Sequence, residues 1–149
     1  MDIHKMMSPN RVVLDLKGKT KEQVLVELVE AQATSETVKN PDKLKKAILE
    51  RESIMSTGIG ISIAIPHAKI ADVTDFTLAV GRKKDGIDYD SLDGQPVKII
   101  IMIAAPEGQQ NTYLRVLAKV THVLRDDGAR AKILAAKAPE EVIALFENV

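Results

Sequence analysis

Nine consecutive residues, Val97 to Ala105, carry a single polar side chain, Lys98, and Ile99-Ile100-Ile101-Met102-Ile103 runs without a break. A strand of this kind has no face left for water, so it has to be covered on both sides. It is read as the central strand of a sheet with helices packed against it. The rest of the chain supplies the cover.

Thr20 and Gln23 stand at capping-box spacing, and Val24, Leu25, Leu28 and Val29 follow at helical intervals as far as Ala33. Asn40-Pro41 gives a second N-cap with proline at the first helical position, and Leu44, Ile48 and Leu49 mark a buried face to about Glu52. Past the central strand, Pro106 to Thr112 reads as a polar loop. Leu114, Leu117, Val120 and Leu124 then form a third helical stripe that Asp126-Asp127-Gly128 ends. Residues 129–136 and 139–147 read as two short closing helices. Residues 1–10 are polar with a turn at Ser8-Pro9-Asn10, Val12 to Leu16 is a short strand, and Phe76 to Gly81 another. Asp85-Gly86 and Asp93-Gly94 are turn dipeptides on either side of Ile87 to Tyr89, which predicts a hairpin region. The order predicts an α/β fold, a mixed central sheet sandwiched by helices, as one domain over residues 1–149.

Composition removes several function classes. Lysine plus arginine equals aspartate plus glutamate at 21 each, so no bulk field draws the chain to a phosphate backbone. Aromatic residues are 3% of the chain with no tryptophan, which leaves little for base or sugar stacking. Nucleic acid is therefore not an expected partner. No segment has the apolar length to enter a bilayer, there is no cysteine, and Met1 to Lys5 lacks the apolar core of a signal peptide. A soluble, cytoplasmic protein is expected.

The stretch from Ser56 to His67 is where chemistry is expected. Ile59, Ile61, Ile63 and Ile65 alternate with the small Gly60, Ser62 and Ala64, which is strand patterning of period two. Pro66 then withdraws a backbone donor, which predicts that the ladder stops and that His67 sits at the strand's end facing a cleft. Imidazole titrates near neutrality and serves as nucleophile, base or ligand, although a lone histidine here is also readable as a capping or half-buried residue. Gly58 and Gly60 permit close backbone approach and exposed amides, and Arg51, Lys69, Arg82 and Lys83 place cations near either end of the segment. If the strand ending at His67 runs beside the central strand in the same direction, the loop from Pro106 to Tyr113 meets His67.

Other chemistries find less support. Gly58-Ile59-Gly60 continues into isoleucines with no P-loop lysine, so a nucleotide fold is not indicated. His4, His67 and His122 are scattered without a ligand spacing, so no metal or cofactor is expected. Ser62 lacks the Gly-x-Ser-x-Gly setting of a nucleophile. His122 flanks the third helical stripe and reads as a surface residue. Arg51, between Glu50 and Glu52, reads by itself as part of a solvated helix face, and Tyr113 as a packing residue at a helix start.

Three segments, Arg51-Glu52-Ser53, Ser56-Thr57-Gly58-Ile59-Gly60 and Ala64-Ile65-Pro66-His67-Ala68, together resemble the enzyme IIA domain of the fructose, mannitol and nitrogen-regulatory branch of the bacterial phosphoenolpyruvate-dependent sugar phosphotransferase system. The likeness extends over Asn10 to Leu28 and Val97 to Leu124. It implies that His67 accepts a phosphoryl group from the histidine phosphocarrier protein and passes it to a IIB partner. It implies further that Arg51 lies beside that histidine as the partner of the phosphate charge. Many members carry a second histidine at the start of the helix after the central strand, and Tyr113 stands there. A tyrosine donates a hydrogen bond but cannot become a cation. The resemblance also covers a nitrogen-type module that controls a partner protein by binding, with transfer altered or lost. A third reading is a structural domain with a dead site. The sequence specifies no sugar and no oligomeric state.

Overall fold

The computed structural model describes residues 1–149. Two 3-10 turns, Ile3–Met6 and Pro9–Arg11, lead into β1 (Val12–Val13), followed by α1 (Lys21–Gln32), α2 (Pro41–Ile54), β2 (Gly58–Gly60), β3 (Ile63–Ala64), β4 (His67–Lys69), β5 (Thr77–Ile87), β6 (Val97–Ala105), α3 (Gln110–Arg125), α4 (Asp127–Ala135) and α5 (Pro139–Ala144). The sheet order is β1-β5-β6-β3-β2, with β4 also on β6. β5 is antiparallel to β6, while β3 and β4 are parallel to it, so the sheet is mixed. No helix is long and apolar enough to cross a membrane.

β6 is central, as its apolar run requires. Its alternate residues point into two separate cores: Ile99, Ile101, Ile103 and Ala105 pack with the α3, α4 and α5 layer, and Ile100, Met102 and Ala104 with the α1 and α2 layer. Both predicted N-caps form: Thr20 Oγ1 accepts from Gln23 N at 3.2 Å, and Asn40 Oδ1 from Lys43 N at 3.2 Å. Each satisfies an orphan amide of a helix start.

Several expectations need correction. Ser56 to His67 is not one strand. β2 folds back antiparallel on β3, with Gly60 opposite Ile63 and both Ile61 (φ 49°) and Ser62 (φ 63°) in the left-handed region. That pair makes a two-residue hairpin turn with positive φ at both positions. Ile59 and Ile61 are left exposed while Ile63 and Ile65 are buried. The alternation of bulk concealed a turn because β-branched residues rarely adopt positive φ. Pro66 does not end the ladder either. Ile63 pairs with Ile99, Ala64 with Ile100 and His67 with Ile103, one unchanged register, and Pro66 O accepts from Ile103 N at 2.9 Å. His67 therefore opens β4 instead of closing a strand. Only one neighbour bonds there, so the missing proline N–H is tolerated.

Asp85-Gly86 lies within β5, where Gly86 (φ 78°) sits in a register irregularity, and the chain reverses only around Asp93-Gly94. Asp126-Asp127-Gly128 separates α3 from α4 through the Asp126 side chain, whose Oδ2 accepts from Ala129 N at 2.8 Å, and Gly128 falls in the first turn of α4. Leu114 points outward, and the buried stripe of α3 is Tyr113, Val116, Val120, Val123 and Leu124. Near the N-terminus Ile3 and Met7 are buried, tying the polar segment down.

Candidate active site at His67

The parallel pairing of β4 with β6 brings the N-terminal turn of α3 over His67. The imidazole and the ring of Tyr113 lie 5.6 Å apart between centroids, tilted by 55°. They share a cleft of about 530 Å³ with Ala47, Glu50, Arg51 and Ile54 from α2 and with Ala68 and Lys69 from β4. The α2 contribution has spacing i, i+3, i+4, i+7, one face of the helix. His67 and Lys69 are two apart on a strand, hence on one face of it.

His67 is half-buried, and its Nδ1 lies 2.8 Å from the carbonyl oxygen of Ile65. A carbonyl only accepts, so the proton of the neutral ring resides on Nδ1 and the lone pair on Nε2. Burial lowers the affinity of the ring for a second proton; the Ile65 bond opposes this, and the charges of Arg51 and Lys69 reinforce it. At neutral pH His67 is a neutral imidazole with Nε2 as its free nucleophilic atom.

Arg51, in the last turn of α2, donates from Nη1 to Met55 O at 2.9 Å. This bond caps the helix end and leaves the remaining guanidinium donors for the cleft. Burial pushes the Tyr113 phenol pKa up, and the Arg51 charge opposes that rise only in part. Tyr113 therefore stays protonated and is a donor. Lys69 Nζ sits 4.6 Å from the centroid of the Tyr113 ring and donates to Gln110 Oε1 at 2.7 Å.

Behind Arg51 lies a buried polar cluster. Glu52 accepts from Thr57 N at 3.2 Å, from Thr57 Oγ1, and from the Tyr89 hydroxyl at 3.0 Å, and pairs with Lys21 Nζ at 2.8 Å. Burial, then the Glu52 charge, pushes the Tyr89 phenol pKa far up, so it remains a donor. Each Glu52 oxygen has partners, which is what a buried carboxylate requires. The cluster joins the end of α2 to the start of β2 and so sets where Arg51 projects.

The sequence model of the family described as "Phosphoenolpyruvate-dependent sugar phosphotransferase system, EIIA 2" matches residues 5–149. The chain belongs to that family. It is 41% identical over 148 residues to the PTS system fructose-specific EIIABC component of Bacillus subtilis, covering 99% of this chain and 23% of that protein. The chain thus spans about a quarter of that relative's length. A nitrogen regulatory protein of Bradyrhizobium diazoefficiens is 31% identical over 98% of this chain and 95% of its own. The crystal structure of the nitrogen regulatory protein IIA-Ntr from Neisseria meningitidis superposes with a TM-score of 0.89 at 27% identity, covering 97% and 98% of the two chains. Family members are thus both sugar-system components and nitrogen regulators.

In this EIIA 2 chain the structure brings His67, Arg51 and Tyr113 into one cleft. It does not bring Arg82 or Lys83 there. Arg82 is buried, donating to the carbonyls of Leu14, Ile133 and Ala136, and Lys83 donates to Leu16 O. Both clasp chain segments away from His67. Gly58 and Gly60 are not a phosphate cradle either. A Cβ on Gly58 would come within 3.0 Å of Ser91, and Gly60 adopts φ 104° beside Asp93, so both glycines serve the hairpin. His122 is exposed on α3, as its flanking position predicted. Sequence reasoning missed Ala47, Glu50 and Ile54, which the helical spacing from Arg51 would have found. It also missed the tie from Glu52 to Tyr89 and Lys21, which nothing local in the sequence signals.

Proposed function

We propose that this chain is a phosphoryl carrier that takes phosphate onto Nε2 of His67 from the phosphohistidine of the histidine phosphocarrier protein and passes it to a IIB partner. The observation that carries this reading is the bond from Nδ1 to Ile65 O, which leaves Nε2 as the lone-pair nitrogen in a cleft containing Arg51. The lone pair attacks phosphorus in line as the donor's ring nitrogen departs with the bonding pair, so one N–P bond replaces another and the transfer potential is kept. The phosphorylated ring retains its Nδ1 proton and a formal positive charge, which the Ile65 carbonyl stabilises. Arg51 balances charge on the phosphoryl oxygens, and the Tyr113 hydroxyl donates to one of them.

A second reading is a nitrogen-type module acting on a partner protein. It is favoured by the relative from Bradyrhizobium diazoefficiens and by Tyr113, which supplies a hydrogen bond but no charge. Charging with phosphoenolpyruvate, enzyme I and the phosphocarrier, then chasing with a IIB protein, separates the two. A carrier loses its phosphoryl group to IIB. A regulatory module keeps it and binds a different protein in one phosphorylation state.

A further inference from the structure

We propose that Lys69 is a second catalytic cation of the cleft, taking hold of the phosphoryl oxygens together with Arg51; this rests on the carrier reading of His67. The register places His67 opposite Ile103 and Lys69 opposite Ala105, so both side chains leave the same face of β4. Tyr113 lies between them, its ring 5.6 Å from the imidazole and 4.6 Å from the ammonium. Both residues line the same cleft.

Charge balance supports such a group. The titratable residues lining the cleft are His67, Tyr113, Glu50, Arg51 and Lys69, and the neighbouring carboxylate of Glu52 is paired with Lys21. Glu50 is itself within 4.0 Å of Lys46, so with His67 and Tyr113 neutral, Arg51 and Lys69 are the two charges left to face an anion. An arriving phosphoryl group brings about two negative charges. Arg51 and Lys69 together match that charge, and without Lys69 Arg51 alone would leave about half of it unbalanced. Lys69 forms no ion pair, and its one hydrogen bond is to a neutral amide, Gln110 Oε1. An ammonium so held exchanges its partner for a phosphoryl oxygen readily, and its flexible stem lets it follow the group. Arg51 is pinned to Met55 O and cannot. The pair therefore divides the work, a fixed fork and a mobile point charge.

The test uses the full chain and the phosphorylated histidine phosphocarrier protein, comparing wild type, Lys69→Met, Lys69→Arg and His67→Ala. Lys69 is exposed, so both of its variants fold. Lys69→Met should slow single-turnover phosphorylation about tenfold or more, and Lys69→Arg should recover most of it. The phosphorus-31 titration of the phosphohistidine supplies a readout that packing alone would not move: losing a cation raises the phosphoryl pKa in Lys69→Met. A wild-type rate and titration in Lys69→Met overturn the lysine assignment while leaving the carrier reading intact. A wild type that takes no phosphate, like His67→Ala, overturns the carrier reading and the lysine assignment with it.

Discussion

His67 and Ile65 are joined by a hydrogen bond of 2.8 Å between the Nδ1 of one and the carbonyl oxygen of the other, two residues apart on the same chain segment. The bond selects the tautomer, and the tautomer leaves the lone pair on Nε2. In the phosphorylated chain, nitrogen-15 and phosphorus-31 spectra should place phosphorus on Nε2. Phosphorus on Nδ1 would mean that the ring turns over before it reacts.

Burial holds the His67 pKa below its ordinary 6.5, with the Arg51 charge adding to the effect. The folded ring thus binds a proton less well than the unfolded one. Its contribution to stability is present above pH 6.5 and is lost as pH falls through the folded value. The imidazole should titrate below 6.5 by NMR in the wild type, and Arg51→Ala should move it upward. The same variant should lower the transfer rate by about a hundredfold, the scale of losing one charge stabiliser at a reacting centre.

Glu52 holds the end of α2 against β2. Glu52→Ala leaves the Tyr89 hydroxyl, the Thr57 amide and Lys21 without their acceptor, and should cost about 2–3 kcal/mol in urea unfolding. Tyr89→Phe removes one donor and should cost about 1 kcal/mol. Since Arg51 sits one residue away, Glu52→Ala should also slow transfer. Unchanged stability in Glu52→Ala would refute the role given to the cluster.

Ile61 occupies a left-handed conformation at φ 49° and is 47% exposed as a residue. A β-branched residue is strained there and gains little from burial. Ile61→Asn, the residue such a turn prefers, should stabilise the chain by about 0.5–1 kcal/mol. Thermal unfolding reads the effect, and a lower midpoint would show that the exposed isoleucine packs better than its surroundings indicate.

What the sequence made legible follows physical range. The run from Val97 to Ala105 dictated a strand covered on both faces, and Thr20 and Asn40 fixed two helix starts, because burial and capping are written in neighbouring residues. The hairpin at Ile61-Ser62 was hidden, since its residues take a backbone conformation their side chains disfavour and the support comes from Asp93, which accepts from Ile61 N at 3.1 Å. His67 and Tyr113 were legible as neighbours once two strands were taken as parallel. Arg82 and Lys83 were misplaced because charge near a motif in sequence says nothing of direction in space. Glu52, Tyr89 and Lys21 come from three separate segments, and only the fold unites them.

The central claim is that His67 carries phosphate. Intact-mass measurement after incubation with phosphoenolpyruvate, enzyme I and the phosphocarrier tests it most directly, with wild type and His67→Ala side by side. One added phosphoryl group on the wild type and none on His67→Ala is the predicted result. A wild type that gains no mass, or a His67→Ala chain that gains as much as the wild type, would contradict it.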